Sequence, residues 1–146
     1  MSKRRVLISA CLLGEQCRYD GKTKKINAVV DAYKEYEIIP FCPEAPLFGT
    51  PRERISVVEI ENEQRIIKDV SGKDVTQKLA NEIELFCKTH PSVDAIVLKS
   101  KSPSCGYKTT PIVDAKGNVL GLGDGIAIKI FQKNYKNIEI QNENNF

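Results

Sequence analysis

Histidine is nearly absent from this sequence: a single residue, His90, occurs among 146. Zinc sites commonly recruit imidazole, and a Ser-His-Asp triad needs it as its base. His90 stands at the end of a predicted helix and belongs to no ligand pattern, and there is no Cys-x2-Cys pair. These gaps exclude a zinc ribbon and argue against a serine hydrolase.

Long apolar runs are missing as well, since no window reaches the roughly 18 to 20 apolar residues of a membrane-spanning helix. The opening MSKRRVLISACLLG superficially resembles an export signal, but Ser9 interrupts it, Gly14 ends it and no small-residue cleavage pattern follows. We interpret it as a first strand and expect a cytoplasmic protein. Cytosolic thiols are kept reduced, so the five cysteines argue against a disulfide framework.

Charge of one sign does not dominate either. The net charge is +3, and basic residues alternate with acidic ones without forming a basic stripe with interleaved aromatics. The glycines of GLGDG at 121–125 come too late, and with the wrong spacing, for a dinucleotide fingerprint. We therefore expect a small-molecule partner, with no nucleic acid and no membrane.

What is present is an alternation of strands and helices. Buried strands are predicted for RRVLISA, EIIPFC and VDAIVLKS, and helices for NAVVDAYKEY, DVTQKLANEIELFCKTH and GDGIAIKIFQKN. Two hairpins are predicted, with turns near Asn62 and at Lys116–Gly117, and IEIQ could form a last strand. The pattern predicts a single α/β domain over 1–146, with 141–146 as a flexible tail. Its architecture is a three-layer, Rossmann-like domain with a mainly parallel sheet and β-hairpin excursions.

Three cysteines follow three of the predicted strands. Cys11 comes directly after the first strand, Cys42 closes the second, and Cys105 lies in the loop after the third. Ligands bind such sheets outside the carboxyl ends of the strands, so the three thiols can meet at one edge. Three thiolates without histidine favour an iron–sulfur cluster over catalytic zinc. Buried inert thiols are the alternative.

Two further cysteines are less clearly placed. Cys17, six residues after Cys11, could be a further ligand, a sulfur acceptor or a structural thiol. Cys87 lies next to the apolar stripe of the longest predicted helix, and we expect it in the core.

Polar residues near the thiols could supply chemistry. Glu44 follows Cys42 by two residues and could move a proton. Ser102 and Ser104 precede Cys105, and either hydroxyl could bind a substrate or bond the loop backbone. Positive charge near an anionic ligand could come from three residues: Lys99, Arg18 and Arg52.

Five motifs occur in this order along the chain: ISACLLGEQCRYDG, FCPE, GTPRE, LKSKSPSCG and GLGDGIA. The same order is found in the bacterial thiouracil desulfidase family, which the chain resembles from residue 5 to about 131. The resemblance implies an α/β fold with a [4Fe-4S] cluster on Cys11, Cys42 and Cys105, with Cys17 as a possible additional or replacement ligand. It implies removal of sulfur from thiolated pyrimidines such as 2-thiouracil, giving uracil and hydrogen sulfide. Our hypothesis for the mechanism is hydrolytic cleavage of the carbon–sulfur bond without net redox change. Glu44 would be the acid/base residue and Ser102 would orient the substrate.

The sequence departs from that family after CPE, where APLFG replaces a run usually rich in glycine. This leaves the substrate open. Other readings of the same residues are a sulfur-transfer enzyme, a non-catalytic cluster carrier, and a cluster-free protein with a small-molecule pocket.

Overall fold

The computed structural model describes residues 3–22 and 24–146, which form two four-stranded sheets and four α-helices. The strands are β1 (Arg5–Ser9), β2 (Glu37–Phe41), β3 (Ile55–Ile60), β4 (Glu63–Lys68), β5 (Ala95–Leu98), β6 (Thr110–Val113), β7 (Val119–Gly123) and β8 (Ile140–Asn142). The helices are α1 (Asn27–Ala32), α2 (Glu44–Phe48), α3 (Thr76–Thr89) and α4 (Ala127–Asn134). Within the described ranges, no helix is long and apolar enough to cross a membrane.

The first sheet is entirely parallel, with the order β2-β1-β5-β8. Its central strand β1 is apolar because both of its faces are covered. Leu7 packs into the cluster that contains α3 and α4, whereas Val6 and Ile8 pack into the cluster that contains Val29 of α1. Helices therefore lie on both faces of this sheet, which confirms the expected three-layer α/β arrangement.

The second sheet joins the two predicted hairpins. Glu61 and Asn62 adopt positive φ angles of 52° and 64° in the first hairpin turn, as a tight two-residue turn requires. The order is β4-β3-β6-β7, and the hairpins meet through parallel pairing of β3 with β6, where Val57 lies opposite Ile112. The excursions expected from the sequence thus form one mixed sheet.

The C-terminal residues differ from the expectation of a flexible tail over 141–146. Strand β8 pairs with β5 in parallel, and a 3-10 turn follows over Glu143–Asn145. Ile140 is buried in the main core, and both carboxylate oxygens of Glu143 accept hydrogen bonds from Ser100. Burial of Ile140 and these bonds offset the entropy of ordering a polar segment.

Candidate active site

A cavity of about 420 Å³ opens at the carboxyl end of the parallel sheet. Of the residues that the sequence singles out for chemistry, Ser104 is buried behind the wall and the others line the cavity: Cys11, Cys17, Arg18, Cys42, Glu44, Arg52, Lys99, Ser102 and Cys105. The strands are parallel, so the loops that follow β1, β2 and β5 emerge on the same side. The predicted convergence of the three strand-end cysteines on one edge is thus present in the structure.

Cys11 lies in a 3-10 turn, Ala10–Leu13, directly after β1. Gly14 ends this turn with a φ of 100°, a left-handed conformation that favours glycine. The carbonyl of Cys11 accepts hydrogen bonds from the amides of Gly14 and Lys24. The backbone of Cys11 is therefore fixed even though its side chain borders the cavity.

Cys42 lies between β2 and α2, next to Cys17. Its thiol donates to the carbonyl oxygen of Cys17, with 3.8 Å between the sulfur and the oxygen. The thiol of Cys17 lies next to those of Cys11 and Cys42. A hydrogen bond with Cys11, followed by burial, raises the pKa of Cys17 to about 11, against an opposing hydrogen bond from Cys42. The hydrogen bond with Cys17, together with burial, also raises the pKa of Cys42. Three thiols are thus crowded at one wall of the cavity.

Cys105 is 6% exposed and sits in the loop after β5. Burial raises the pKa of its thiol to about 12, partly opposed by hydrogen bonds with Ser9 and Ser102. The chain just before α4 holds this loop, because the amides of Gly125, Ile126 and Ala127 donate to the carbonyls of Gly106, Pro103 and Ser104. The last glycine of GLGDG and the two residues after it therefore support the cysteine loop with their backbone amides.

Glu44 begins α2 and is only 9% exposed, although it borders the cavity. Its Oε2 accepts a hydrogen bond from the Ser104 hydroxyl at 2.7 Å, and its Oε1 lies 3.4 Å from Nε of Arg52. Ser104 is fully buried. Sequence reasoning offered Ser104 only as one of two possible substrate or loop residues and offered Arg52 as a cation near the ligand; it missed their contacts with Glu44.

Ser102 stabilises the loop that carries Cys105. Its Oγ accepts hydrogen bonds from the amides of Ser104, at 3.1 Å, and Cys105, at 3.0 Å. A hydroxyl has two acceptor lone pairs, which serve these amides, and one hydrogen, which Ser102 directs at the Cys105 thiol, so donation to a molecule in the cavity requires that hydrogen to rotate away from the sulfur. The local turn role and a substrate-facing role are therefore compatible.

A buried network ties β5 to the turn after β8. The Lys99 ammonium lies 3.1 Å from Oε2 of Glu143 and donates to the carbonyl of Ser100. The Ser100 hydroxyl donates to the same carboxylate at 2.7 Å. Sequence reasoning missed Glu143 because the polar C-terminal segment carried no strand signal beyond IEIQ.

Positive charge surrounds the cavity. Glu44 is the acidic residue among the lining groups. The cavity is also lined by six cationic side chains: Arg18, Lys24, Arg52, Arg54, Lys99 and Lys101. Arg18 lies 3.8 Å from Asp20, and Lys99 pairs with Glu143. Arg54 is exposed and stacks on the ring of Tyr19, with 5.1 Å to the ring centroid. This surface suits an anionic ligand.

His90 lies away from this edge, at the end of α3 that precedes the start of β5. Its ring stacks on Phe86, with 4.6 Å between centroids. Cys87 is buried in the core, as expected. Neither residue is part of the cavity lining.

In the described part of the chain, no three His, Cys, Asp or Glu side chains stand close enough together to hold a single metal ion. A cluster of several irons is larger than one ion and takes each thiolate on a different iron, so its ligands must surround a space. Four cysteines border this cavity, no histidine does, and cationic groups can balance thiolate charge. This donor set fits an iron–sulfur cluster.

A parallel α/β sheet whose strand ends present thiols, one buried carboxylate and a cationic rim to a common cavity defines a thiol-based small-molecule enzyme site. Comparison with known proteins specifies it further. The family model for 2-thiouracil desulfurase matches residues 6–143, so the chain belongs to the 2-thiouracil desulfurase family.

Two similar proteins are consistent with this assignment. An uncharacterised protein of Bacillus subtilis (strain 168), YbbK, is 34% identical over 113 residues, which cover 69% of this chain and 72% of that protein. A solved structure, the [4Fe-4S]-dependent thiouracil desulfidase TudS, superimposes with a TM-score of 0.70 at 29% identity, covering 99% of this chain and 93% of that one. The likeness confirms the predicted α/β fold and the predicted family.

Proposed function

We propose that this protein is an iron–sulfur-dependent desulfidase that removes sulfur from thiolated pyrimidines such as 2-thiouracil. The products would be the oxygen analogue, uracil, and hydrogen sulfide. The carbon–sulfur double bond is replaced by a carbon–oxygen double bond at the expense of one water, so no electrons are gained or lost. Family membership and the [4Fe-4S] dependence of TudS support this assignment.

The single observation that carries the proposal is the shared cavity of Cys11, Cys42, Cys105, Glu44 and Ser102. We assign the three cysteines as ligands of a [4Fe-4S] cluster and leave Cys17 as the additional or replacement candidate. Such a cluster would supply an iron without a protein ligand, a Lewis acid for the thiocarbonyl sulfur.

Glu44 is the residue we assign to proton transfer. A carboxylate in hydrogen-bond reach of the reacting water can take its proton as the oxygen attacks the ring carbon. The same group can return the proton to a ring nitrogen or to the departing sulfur. Because Glu44 is the acidic residue in a cationic cavity, we expect its removal to leave the water without a base.

Ser102 is the residue we assign to orientation. When the hydrogen of its hydroxyl turns away from the Cys105 sulfur, it can donate to a heteroatom of the pyrimidine ring, while its oxygen keeps the Cys105 loop in place through two amides. The substrate is thereby fixed relative to the cysteine loop, and a fixed geometry lowers the entropic part of the barrier.

The test is an anaerobic assay on reconstituted protein with 2-thiouracil, measuring uracil and sulfide together. We expect the two products in equal amounts with no sulfur acceptor added. A sulfur-transfer enzyme would consume the thiobase only when an acceptor is present, and the sulfur would end on that acceptor and not as free sulfide. A carrier would pass its cluster on without turnover.

Glu44→Gln and Ser102→Ala then test the assigned roles, with Glu35→Gln, an exposed glutamate, as the matched control. We expect kcat to fall about 100-fold or more for Glu44→Gln, the usual scale for a lost acid/base, and to stay unchanged in the control. Full activity in both Glu44→Gln and Ser102→Ala, with iron content intact, would reject the assigned roles.

A further inference from the structure

Arg52 is a buried charge at the cavity wall. Its side chain is 6% exposed, and that of its partner Glu44 is 12% exposed. A guanidinium removed from water is costly unless its donors are satisfied. Here Nη2 donates to the carbonyl of Cys17 at 2.8 Å and Nη1 to that of Gly49 at 2.9 Å, while Nε faces Glu44. The planar fork thus joins the Cys17 loop, the start of α2 and the loop after it.

Ser104 holds the other side of the same carboxylate. It is completely buried, so its hydroxyl cannot contact a substrate, and that hydroxyl donates to Oε2 of Glu44 at 2.7 Å. The backbone of Ser104 is itself fixed, because its amide donates to Ser102 and its carbonyl accepts from Ala127. Sixty positions along the chain separate Ser104 from Glu44, so this contact depends on the fold.

We propose that Arg52 and Ser104 are positioning residues that orient the Glu44 carboxylate in the cavity, each holding one of its two oxygens. The inference rests on the proposed role of Glu44. The two serines of SPSC then have different roles. Ser102 borders the cavity, whereas Ser104 acts only through Glu44. Arg52 also sets the position of the Cys17 loop, so its loss reaches further than that of Ser104.

We call the arrangement of Arg52 and Ser104 around the Glu44 carboxylate the clamp. Infrared difference spectroscopy tests the clamp and does not depend on enzyme activity. The carboxylate band of Glu44 is identified by its loss in Glu44→Gln, in the full chain with and without reconstituted iron. Removing either partner changes the hydrogen bonding of that carboxylate, so we expect the band to shift in Ser104→Ala and in Arg52→Lys. Two variants are used so that one remains informative if the other fails to fold.

Ser100→Ala is the matched spectroscopic control. Ser100 is also a buried serine at the same sheet edge, and it also donates to a carboxylate at 2.7 Å, but that carboxylate is Glu143. We expect the Glu44 band to stay in place in this variant. An unshifted Glu44 band in both Ser104→Ala and Arg52→Lys would overturn the proposal.

Kinetics give a second readout that a merely structural role would not produce. Misplacing a reacting group by about 1 Å can cost about 100-fold, so we expect kcat of Ser104→Ala to fall about 10- to 100-fold with KM nearly unchanged. In the Glu44→Gln background the same change should cost nothing further, because Ser104 acts through that carboxylate. Equal losses in both backgrounds would overturn the proposal.

The two proposals fail in different ways. Absence of thiobase turnover by the wild type would reject the proposed function, and the infrared shifts would still decide on the clamp. Normal turnover with an unshifted band would reject the clamp alone.

Discussion

The two sheets of this protein have four strands each, but only the parallel sheet brings the predicted ligand cysteines together. In the parallel sheet every strand runs the same way, so the loops after β1, β2 and β5 deliver Cys11, Cys42 and Cys105 to one edge. In the mixed sheet two hairpins reverse the chain, and a separate apolar cluster forms its core. It contributes only one wall to the cavity, through Arg54 and Ile55 at the start of β3. The direction of the strands, more than their amino-acid composition, therefore determines where functional side chains can lie close together.

The largest expected effect is loss of iron when a strand-end thiol is removed. Cys11→Ser, Cys42→Ser and Cys105→Ser should each lose most of the roughly four irons per chain that a [4Fe-4S] cluster supplies, because a hydroxyl is a poor ligand for iron in such a cluster. The measurement is iron and acid-labile sulfide per chain after anaerobic reconstitution. Cys87→Ser, in the core under the sheet, is the control that should keep its iron.

Cys17→Ser sharpens the same experiment. Retention of iron in this variant supports the three strand-end ligands. Loss of iron in Cys17→Ser, with retention in Cys105→Ser, would instead name Cys17 as the replacement ligand and contradict the strand-end assignment.

Substitution of Gly125, which packs against the cysteine loop, is expected to destabilise the protein more than substitution of Gly121, which lies in the mixed sheet. A Cβ at Gly125 would lie 2.6 Å from the carbonyl carbon of Ser104 and 2.9 Å from the amide of Cys105, so the cysteine loop would have to shift. We expect Gly125→Ala to lower the free energy of unfolding by about 1–3 kcal/mol, as overpacking usually does. Its iron content should fall as well.

Gly121→Ala is the matched control, because a Cβ there meets nothing within 4 Å and β7 is exposed. We expect a change of less than about 0.5 kcal/mol. Thermal unfolding of the two variants side by side measures the difference, and equal destabilisation would contradict the proposed tight contact.

Thiol reactivity gives a smaller, pH-dependent difference. The pKa of Cys105 is raised to about 12, and only the thiolate reacts with iodoacetamide. In iron-free folded protein at pH 8, we expect Cys105 to react roughly a thousandfold more slowly than in unfolded protein. Its rate should keep rising with pH up to about 12, whereas that of the unfolded thiol levels off near pH 9.

Mass spectrometry of the alkylated peptides follows each cysteine separately. Cys17, whose pKa is raised to about 11, should likewise level off above the pH at which the unfolded thiol does. A folded-state rate for Cys105 that levels off near pH 9 would show that its thiol is not buried as described.

The smallest effect belongs to the mixed sheet. A hydrogen bond from Arg65, at 2.8 Å, lowers the pKa of Asp74 from its ordinary 3.8 to about 2. A carboxylate with a lowered pKa stabilises the fold above its unfolded pKa, and that stability is lost as the pH falls towards 2. The pair is 32% and 40% exposed, so we expect Asp74→Asn to cost less than about 1 kcal/mol at pH 7 and a smaller amount at pH 2, where the carboxylate is about half protonated.

Urea unfolding of the wild type and Asp74→Asn at pH 7, 4 and 2 measures this. Asp31→Asn, an exposed residue of α1, is the control and should leave all three values unchanged. A gap between wild type and Asp74→Asn that widens towards pH 2 would contradict the assigned sign.

Much of the architecture could be predicted because it is encoded locally. The apolar run of β1, the hairpin turn at Asn62 and the stripe of α3 each depend on residues within a few positions of one another. The strand-end positions of Cys11 and Cys42 then followed from strand direction alone. Pro40 follows a similarly local rule, because it lies in β2, an edge strand of its sheet, where proline is tolerated.

The contacts that complete the cavity could not be predicted in this way. Arg52 reaches Cys17 across 35 positions and Ser100 reaches Glu143 across 43, and neither contact leaves a periodic pattern in the sequence. Parallel pairing of β3 with β6 is equally non-local, so two hairpins gave no sign that they shared a sheet. Such contacts depend on which side chains the folded layers bring together.

The construction of the cavity from two sheets has a consequence for how the family can diversify. The thiols occupy the floor, at the ends of buried strands, whereas exposed Arg54 and Lys101 occupy the rim. Exchanging a cationic residue at the rim changes which anions bind and leaves the core of the parallel sheet unchanged. A substitution at the rim can therefore change which ligand is selected at little cost to folding, whereas a substitution among the thiols acts on the packed ends of the buried strands.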